Sequence, residues 1–459
     1  MKSSIKENIS SGAGDIKKLW HRLKNRDFSG NSGLAIQNSL YQFLTNVSTK
    51  LGALIFTVIL ARVMMPTLFG EYSLALSVVL IFVSFSDLGI GDTMIRFVSK
   101  KIGENNPQKA KTYTKYFIKI KFVFIFSISL LILILAKVIS NIYPNEPIYL
   151  ALMAGSIYIF FVGFVAFFIN VLNANSHFKP IFYRETVFQV IRIILIPLIT
   201  IYLLKNNFSS ELILFWNIAM LAVTYFLSGF TFLSYKEVNI FSILKQKEQL
   251  SSPEKKQVNK FILLMSATVF SGVFFGYIDT VILGLFVQPQ YIGYYRAAFN
   301  LIAAIAPLIT LYVAVYPIFN KLNKEDLEIL FKRSFRITLI LSVLISIFLF
   351  AFANIIISLI YGSAYSMSAN ILRIFSIVLV TFPITGIYYA YFASIGKPEI
   401  NTRTLAWSTV INIALNIILI SWLVRYSPLW AAYGAAAATI ISRWFYTIAL
   451  AVYKRKLKT

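Results

Sequence analysis

The sequence predicts an all-α polytopic membrane protein with about twelve transmembrane helices. Of its 459 residues, 58% are hydrophobic and only 13% are charged, and the mean hydropathy is +0.74. Soluble domains carry roughly 25% charged residues. Apolar runs recur along the chain, each long enough for a helix to cross a hydrocarbon layer of about 30 Å. The period-two alternation expected of a transmembrane β-barrel is absent from the sequence.

The predicted spans follow one another with short connections, and there is no long segment for an external domain. Their approximate bounds are 38–63, 72–96, 112–138, 147–172, 180–204, 210–235, 259–286, 291–319, 334–361, 367–394, 402–424 and 429–453.

Lysine and arginine predict how the chain is oriented, because basic residues near helix ends are retained in the cytoplasm. One side of the predicted spans collects 34 of them, and the other side has only Arg62, Lys137, Lys205 and Arg425. We therefore expect both termini to be cytoplasmic in a multi-pass plasma or inner membrane. The formal charge of +25 then lies mainly on the cytoplasmic face, where anionic lipid is the expected partner and nucleic acid is not.

A repeat divides the chain. "TVILARVMMPTLFGEY" at 57–72 and "TVILGLFVQPQYIGYY" at 280–295 match at one constant offset. Each copy covers the end of one span, a tight turn and the start of the next, so the halves are predicted to be parallel repeats of six helices. The expected units are an N-terminal bundle over 36–236, a cytoplasmic linker over 237–257 and a C-terminal bundle with a basic tail over 258–459, with a pathway expected between the two bundles.

The shared letters of the repeat have a structural interpretation. Proline suits the start of a helix and glycine permits close packing. The elbow residues are Pro66, Gly70, Tyr72, Pro289, Gly293 and Tyr295.

The basic tail over 1–35 permits two interpretations. Ile16, Leu19, Trp20 and Leu23 share one helical face with basic residues around it, which suits a helix lying in the membrane interface. The alternative is a solvated, disordered tail.

Five of the 43 basic residues remain inside predicted spans after the 34 and the four assigned to the two sides are subtracted. A charge in the middle of a membrane costs about 2.5–3.5 kcal/mol on insertion scales, so these residues are expected to face a wet interior. A basic cavity selects anions, and guanidinium forks suit phosphate oxygens. Arg373 lies nearer a span end, where snorkelling to the headgroups is an equal alternative. The candidates for substrate binding are Lys50, Arg192, Arg296, Arg373 and Arg443.

Two acidic residues are expected to be well buried inside predicted spans. Asp87 lies on a stripe of serines, and Asp279 stands in "GYIDTVIL". Each is either the partner of a nearby arginine or a site for proton or sodium coupling. For Asp279 the arginine partner is the favoured interpretation, and Asp87 is the stronger candidate for coupling.

No catalytic or metal site is predicted. The two histidines, His21 and His177, lie in segments predicted to be cytoplasmic, cysteine is absent, and no metal-ligand cluster or phosphate-binding glycine loop is found. We therefore expect no enzyme activity, no cofactor and no metal.

Two segments resemble a known family. "ARVMMPTLFGEYSLALSVVLIFVSFSDLGIGDTMIRFVSK" is similar to the first-to-second helix region of polysaccharide flippases, and "YIDTVILGLFVQPQYIGYYRAAFNL" is similar to their seventh-to-eighth region. The resemblance implies the multidrug/oligosaccharidyl-lipid/polysaccharide exporter superfamily, with two bundles that form a V-shaped cavity and work by alternating access. Lipid II flippases of that superfamily carry an Arg-Asp pair late in helix 1, where this chain has Phe56 and Thr57, so oligosaccharide-lipid transport is favoured.

The expected function is translocation of a polyprenyl phosphate- or diphosphate-linked oligosaccharide from the cytoplasmic to the outer leaflet, with possible coupling to sodium or protons. One alternative is a cation-coupled multidrug exporter of the same fold. Another is a non-transporting scaffold that binds partners in a glycan assembly complex.

Overall fold

The chain folds into long apolar helices. The computed structural model describes residues 30–143, 147–232, 235, 239–310, 312–320 and 322–457, with side chains from residue 37 onward except at 240, 312–314 and 317. Strands are absent from these ranges. The helices of the first half are α1 Gly30–Asp87, α2 Ile90–Gly103, α3 Pro107–Ile142, α4 Tyr149–Ala174, α5 Phe178–Lys205, α6 Ser210–Gly229 and a 3-10 turn at Phe230–Phe232.

The second half continues the same architecture after a short connecting segment. Its helices are α7 Ile240–Leu244, α8 Ser252–Leu283, α9 Pro289–Ile309, α10 Tyr312–Phe319, α11 Lys324–Ala351, α12 Ala353–Tyr361, a 3-10 turn at Ser363–Tyr365, α13 Ser368–Leu379, α14 Thr381–Ser394, α15 Glu399–Leu423 and α16 Pro428–Lys456.

Eleven helical stretches of the described chain are long and apolar enough to cross a membrane. One of them, Gln37–Gly103, has 67 residues, which at 1.5 Å per residue is about three times the hydrocarbon thickness. Met65 breaks it with φ 59° and ψ 170°, and Pro66 follows. This stretch therefore contains two spans, and an all-α polytopic membrane fold with about twelve spans is confirmed.

Several predicted spans are broken inside their bounds. The second is interrupted at Leu88 and Gly89, which have φ values of 41° and 74°. The eighth breaks at Thr310 and the tenth at Val380. Pro307 and Pro383 stand beside these last two breaks, and proline removes a helical hydrogen bond. The predicted spans run without interruption through these positions, whereas the helices are broken there.

The two elbows pack against each other. A methyl group added to Gly70 would lie 1.8 Å from the carbonyl oxygen of Pro289, and one added to Gly293 would lie 2.1 Å from that of Pro66. Only glycine permits so close an approach of two backbones. The first half therefore touches the second through its own sequence copy, and we call this end of the molecule the elbow end.

Further contacts join the halves at the elbow end. Arg62 donates from Nε to the carbonyl of Ile360 at 2.8 Å and from Nη2 to that of Leu359, so it caps the carboxyl end of α12. Tyr365 donates its hydroxyl to the carbonyl of Ala61 at 2.8 Å. These contacts hold the two halves together at the elbow end.

The opposite end, which carries most of the basic residues, also joins the halves. Phe85 of α1 packs edge-on to Phe270 of α8 at 4.5 Å, and the guanidinium of Arg96 lies 4.3 Å from the centre of the Phe261 ring. A methyl group on Gly89 would lie 2.5 Å from Cβ of Met265. We call this the basic end.

The connecting segment differs from its prediction. Helix α7 lies inside the predicted linker 237–257, and α8 already begins at Ser252, where Ser251 and Glu254 form a capping box. Ile16, Leu19, Trp20 and Leu23 of the predicted interfacial helix lie outside the described residues. The bundle boundaries remain predictions.

Candidate functional site

Three of the predicted arginines occupy aromatic surroundings in different helices. Arg192 of α5 has its guanidinium carbon 4.7 Å from the centre of the Phe56 ring and 4.9 Å from that of Phe188. Phe56 comes from α1 and is 5% exposed. Stacking on ring faces stabilises the cation while its N–H edge stays open for other partners.

Arg296 and Arg443 repeat this arrangement in the second half. Arg296 of α9 lies 5.4 Å from the Tyr277 ring centre and 5.2 Å from that of Phe299. Arg443 of α16 lies 3.8 Å from the Phe275 ring and 4.4 Å from that of Phe382. Four different helices, α8, α9, α14 and α16, therefore position the two guanidinium groups and the rings that cover them.

Shared neighbours bring the three arginines into one region. Tyr72 lies within electrostatic range of both Arg192 and Arg296, and Asp279 lies within range of both Arg296 and Arg443. The order Arg192, Tyr72, Arg296, Asp279, Arg443 thus runs from the first half to the second. We call these five residues the arginine row.

The arginine row has donors without acceptors. Nε of Arg192, Arg296 and Arg443 is buried and has no hydrogen-bond partner, and Nη2 of Arg192 is in the same condition. Among the residues that the structure describes, these three guanidinium groups form a single hydrogen bond, from Nη1 of Arg296 to the carbonyl of Gly276 at 3.2 Å. An unmet buried donor costs about 1–3 kcal/mol. The row is therefore suited to an anion that supplies several oxygen atoms.

Asp279 is the most enclosed acid of this region, with 3% exposure. Tyr295 donates to its Oδ2 at 2.7 Å, Thr439 donates to the same oxygen, and Asn416 donates to Oδ1 at 2.6 Å. Within the described chain no ion pair joins it to an arginine within 4 Å. Hydroxyl and amide donors bind the carboxylate directly, and the role of a nearby arginine as its charge partner stays a prediction.

Unpaired oxygens surround Asp279 as well. Oδ1 of Asn412 and Oδ1 of Asn416 are buried without a hydrogen-bond partner. Both asparagines are 0% exposed and lie one turn apart on α15. Carboxylate, amide and hydroxyl oxygens are the donors that hard cations prefer. Asp279, Asn412, Asn416 and Thr439 together form what we call the Asp279 cluster.

Asp87 has a different environment. Its carboxylate forms an ion pair with Nζ of Lys121, whose side chain is 2% exposed, and Lys121 also donates to the carbonyl of Ser86 at 3.2 Å. The partner is thus a lysine of α3, whereas an arginine was predicted. Lys121 is one of the 34 basic residues predicted for one side of the membrane, and only the packing of α3 on α1 shows that it is buried.

Within the described part of the chain, no hydrogen bond, ion pair or ring contact joins Lys50 or Arg373 to the arginine row. Lys50 is exposed on α1. Arg373 is partly buried and donates to Oδ1 of Asn370 on its own helix. Their predicted participation in binding remains untested.

Sequence reasoning missed two further buried cations, Arg184 and Lys454. Arg184 is 1% exposed. Lys454 is 6% exposed and forms an ion pair with Glu328 at 2.7 Å. Both had been assigned to the basic surface. The spacing of Arg184 and Phe188, one helical turn apart, was the available signal.

The two elbow tyrosines differ in what they contact. The hydroxyl of Tyr72 is buried and has no hydrogen-bond partner, whereas Tyr295 donates to Asp279. Phe56 stands in the first copy where Asp279 stands in the second. The same tyrosine of the repeat therefore has different hydrogen-bond partners in the two halves.

The described residues contain no group of three or more His, Cys, Asp or Glu side chains that could hold a metal ion. The site is defined instead by guanidinium groups, aromatic rings and one enclosed carboxylate.

Comparison with known proteins agrees with this architecture. Residues 35–323, more than half of the chain, match the family model described as "Polysaccharide biosynthesis protein". A relative from Haloferax volcanii, described as "Probable low-salt glycan biosynthesis flippase Agl15", is 23% identical over 211 residues, which cover 44% of this chain and 43% of that protein. The match thus spans less than half the length of this relative.

Solved structures share the fold at low sequence identity. The lipid II flippase MurJ in an inward closed conformation superposes with a TM-score of 0.68 at 15% identity, covering 92% of this chain and 88% of that one. An inward-facing multidrug resistance MATE family transporter of the MOP superfamily gives a TM-score of 0.65 at 14% identity, covering 92% and 95%. These likenesses establish the fold.

Proposed function

Because this chain belongs to the polysaccharide biosynthesis protein family, we propose that it is a flippase for lipid-linked oligosaccharides. Its cargo would be a polyprenyl phosphate- or diphosphate-linked glycan precursor, moved from the cytoplasmic to the outer leaflet by alternating access. The observation that carries this proposal is the arginine row, in which three ring-stacked guanidinium groups keep buried N–H groups without acceptors.

The row suits phosphate in both charge and geometry. Arginine presents donors in a planar fork that matches two phosphate oxygens, and its charge persists throughout the physiological range. Arg192 belongs to the first half, and Arg296 and Arg443 belong to the second. One headgroup bound among them would therefore contact both halves. Lys50 and Arg373 would contribute at the margins of the cavity.

Alternating access gives the two ends their roles. Contacts join the halves at both ends, through Gly70, Gly293 and Arg62 at the elbow end and through Phe85 and Arg96 at the basic end, so each set would have to separate in turn. With basic loops and both termini in the cytoplasm, the headgroup would enter from the basic end while the polyprenyl tail stays in lipid. Relative rocking of bundles 36–236 and 258–459 would then separate the elbows. Anionic lipid at the basic face would be a further partner.

The Asp279 cluster is the better candidate for ion coupling. Asp87 is already neutralised by Lys121, whereas Asp279 is surrounded by neutral donors and by two unpaired amide oxygens. A proton on Asp279, or a sodium ion among these oxygens, would change the field at Arg296 and Arg443 and so link the ion to headgroup binding.

Transport in liposomes tests the proposal. Purified protein should move a fluorescent polyprenyl-linked oligosaccharide between leaflets, and the combined Arg192→Gln and Arg443→Gln variant should reduce that rate at least about tenfold. Adding Lys50→Gln to the double variant tests whether Lys50 contributes to substrate binding. Exposed Arg333→Gln is the matched control. Wild-type transport by a folded, membrane-inserted double variant would rule out the basic cavity.

A second candidate function is cation-coupled multidrug export. The specific observation in its favour is the fold shared with MATE family transporters, combined with an enclosed carboxylate. Uptake of a fluorescent organic cation under a sodium or proton gradient, unaffected by polyprenyl-linked sugars, would support it. If neither cargo moves, a scaffold that assembles glycan-synthesising partners becomes the better proposal.

A further inference from the structure

Arg184 is a buried cation that lies outside the arginine row. It sits six residues into α5 and is 1% exposed. Its guanidinium carbon lies 4.4 Å from the ring centre of Tyr225 and 4.8 Å from that of Phe188. Nη1 donates to Oε2 of Glu185 at 3.0 Å. The rings and this carboxylate satisfy only part of the guanidinium.

The unsatisfied part of Arg184 is its Nε and Nη2 edge. Both nitrogens are buried and have no hydrogen-bond partner. This edge is a fork that binds two oxygens of one phosphate or carboxylate. Arg192 lacks partners at the same two atoms, so two neighbouring arginines each present an equivalent open fork.

The guanidinium groups of Arg184 and Arg192 both lie against one aromatic ring. The guanidinium carbons of Arg184 and Arg192 lie 4.8 Å and 4.9 Å from the centre of the Phe188 ring. Their backbones are two helical turns apart on α5, about 12 Å along its axis, and Arg184 is nearer to the helix start. Both side chains therefore lean toward the same residue between them.

Glu185 limits the charge of this pair without filling the forks. Its Oε2 accepts from Nη1 of Arg184, and its Oε1 accepts from Nε2 of Gln189. One carboxylate is thus set against two guanidinium groups, and the remaining attraction is for an anion. Phosphoryl oxygens on two adjacent phosphorus atoms would occupy both forks.

We propose that Arg184 and Arg192 form a two-fork subsite, on either side of Phe188 along α5, that selects a diphosphate over a monophosphate. This deepens the proposed function, on which it rests, by specifying how the lipid and the sugar are joined in the cargo. Arg184 makes the first contact, since it is nearer the basic end, and Arg192 continues it into the arginine row.

Binding of short analogues tests the subsite without requiring transport. The full chain in nanodiscs is titrated with farnesyl diphosphate and with farnesyl monophosphate. The wild type should bind the diphosphate at least about tenfold more tightly. Arg184→Gln should lower diphosphate affinity to the monophosphate level while leaving monophosphate affinity within about twofold.

Arg184→Lys keeps the positive charge but lacks the fork, so it should lose the diphosphate preference as well. Arg333→Gln should leave both affinities unchanged, and thermal unfolding of each variant shows that it is folded. Equal affinities for the two analogues in the wild type, or a diphosphate preference retained in folded Arg184→Lys, would overturn the subsite. Failure of the flippase proposal is distinguishable, because diphosphate preference would then persist in a protein that moves no polyprenyl-linked glycan.

Discussion

Gly70 and Gly293 each lie against the proline that begins the other elbow. The carbonyl of Pro289 fills the space that a Gly70 side chain would need, and the carbonyl of Pro66 does the same at Gly293. The reciprocity follows from the repeat, since equivalent turns of two parallel halves meet face to face. The proline and glycine residues that mark the repeat in the sequence therefore also form the contact between the two elbows.

Gly70→Ala is predicted to separate the elbows. The new methyl group would lie 1.8 Å from a backbone oxygen that cannot rotate away, and such overpacking costs about 1–3 kcal/mol. We expect lower thermal stability in detergent and faster labelling of a cysteine introduced at buried Ser73, since the native chain has no cysteine.

Gly272→Ala is the matched control for Gly70→Ala. It lies in helix α8 with nothing within 4 Å of the added methyl group, so its stability should equal or slightly exceed that of the wild type. Unchanged labelling and stability in Gly70→Ala would mean that the elbows are not held this closely.

Arg62→Gln is predicted to favour opening of the elbow end. Its two hydrogen bonds end on carbonyls at the carboxyl end of α12, where a positive charge is favourable. Because Arg62 is solvent-exposed, its two hydrogen bonds stabilise the contact at the elbow end only modestly. Distances between spin labels across the elbow end should shift toward longer values, while exposed Arg425→Gln should leave the distribution unchanged.

Asp279→Asn is predicted to remove the ion dependence of transport. The amide keeps the size of the side chain but loses the charge that a proton or sodium ion would neutralise. Gradient-driven flipping should fall to the rate seen without a gradient, while exchange of cargo at equilibrium continues. A gradient response equal to that of the wild type would exclude the Asp279 cluster as the coupling site.

Asp87→Asn is predicted to act on stability. It leaves Lys121 buried with its charge uncompensated, which we expect to cost about 1–3 kcal/mol given the partial exposure of Asp87. Combining it with Lys121→Met should restore much of the lost thermal stability. If Asp87→Asn instead abolishes gradient dependence at normal stability, Asp87 is the coupling residue after all.

The attachment of the connecting segment to α3 is predicted to depend on pH. Lys109 lies 2.9 Å from Glu248, and this hydrogen bond lowers the pKa of that carboxyl below its usual 4.5. A carboxylate with a lowered folded-state pKa stabilises the fold above the unfolded pKa and loses this contribution as pH falls through the folded value. Hydrogen exchange in residues 245–251, corrected for intrinsic rates, should therefore accelerate below about pH 4.5.

Lys109→Ala should produce the same acceleration at pH 7, and added salt should produce part of it because the pair is solvent-exposed. Exchange that is independent of both pH and Lys109 would show that other contacts hold this segment.

Hydropathy and the repeat were sufficient to predict the fold class. Long apolar runs admit only helices in a membrane, because every backbone polar group must be satisfied within the segment. The match between "TVIL" elbows likewise predicted that Pro66 begins a helix, which the break at Met65 confirms. Interior breaks such as Thr310 were missed, since a single proline in an apolar run does not by itself reveal how far the helix continues.

The sequence by itself determined the membrane fold, the twofold repeat and the presence of Arg192, Arg296, Arg443 and Asp279 inside spans. These depend on composition and local periodicity, which are properties of the chain. Only the tertiary structure decided that Asp279 is met by Tyr295, Asn416 and Thr439, that Asp87 belongs to Lys121, and that Arg184 shares a ring with Arg192. Burial and pairing of a charge depend on which helices pack together, and residues of α1, α3, α8, α15 and α16 that are far apart along the chain become neighbours only in the folded molecule.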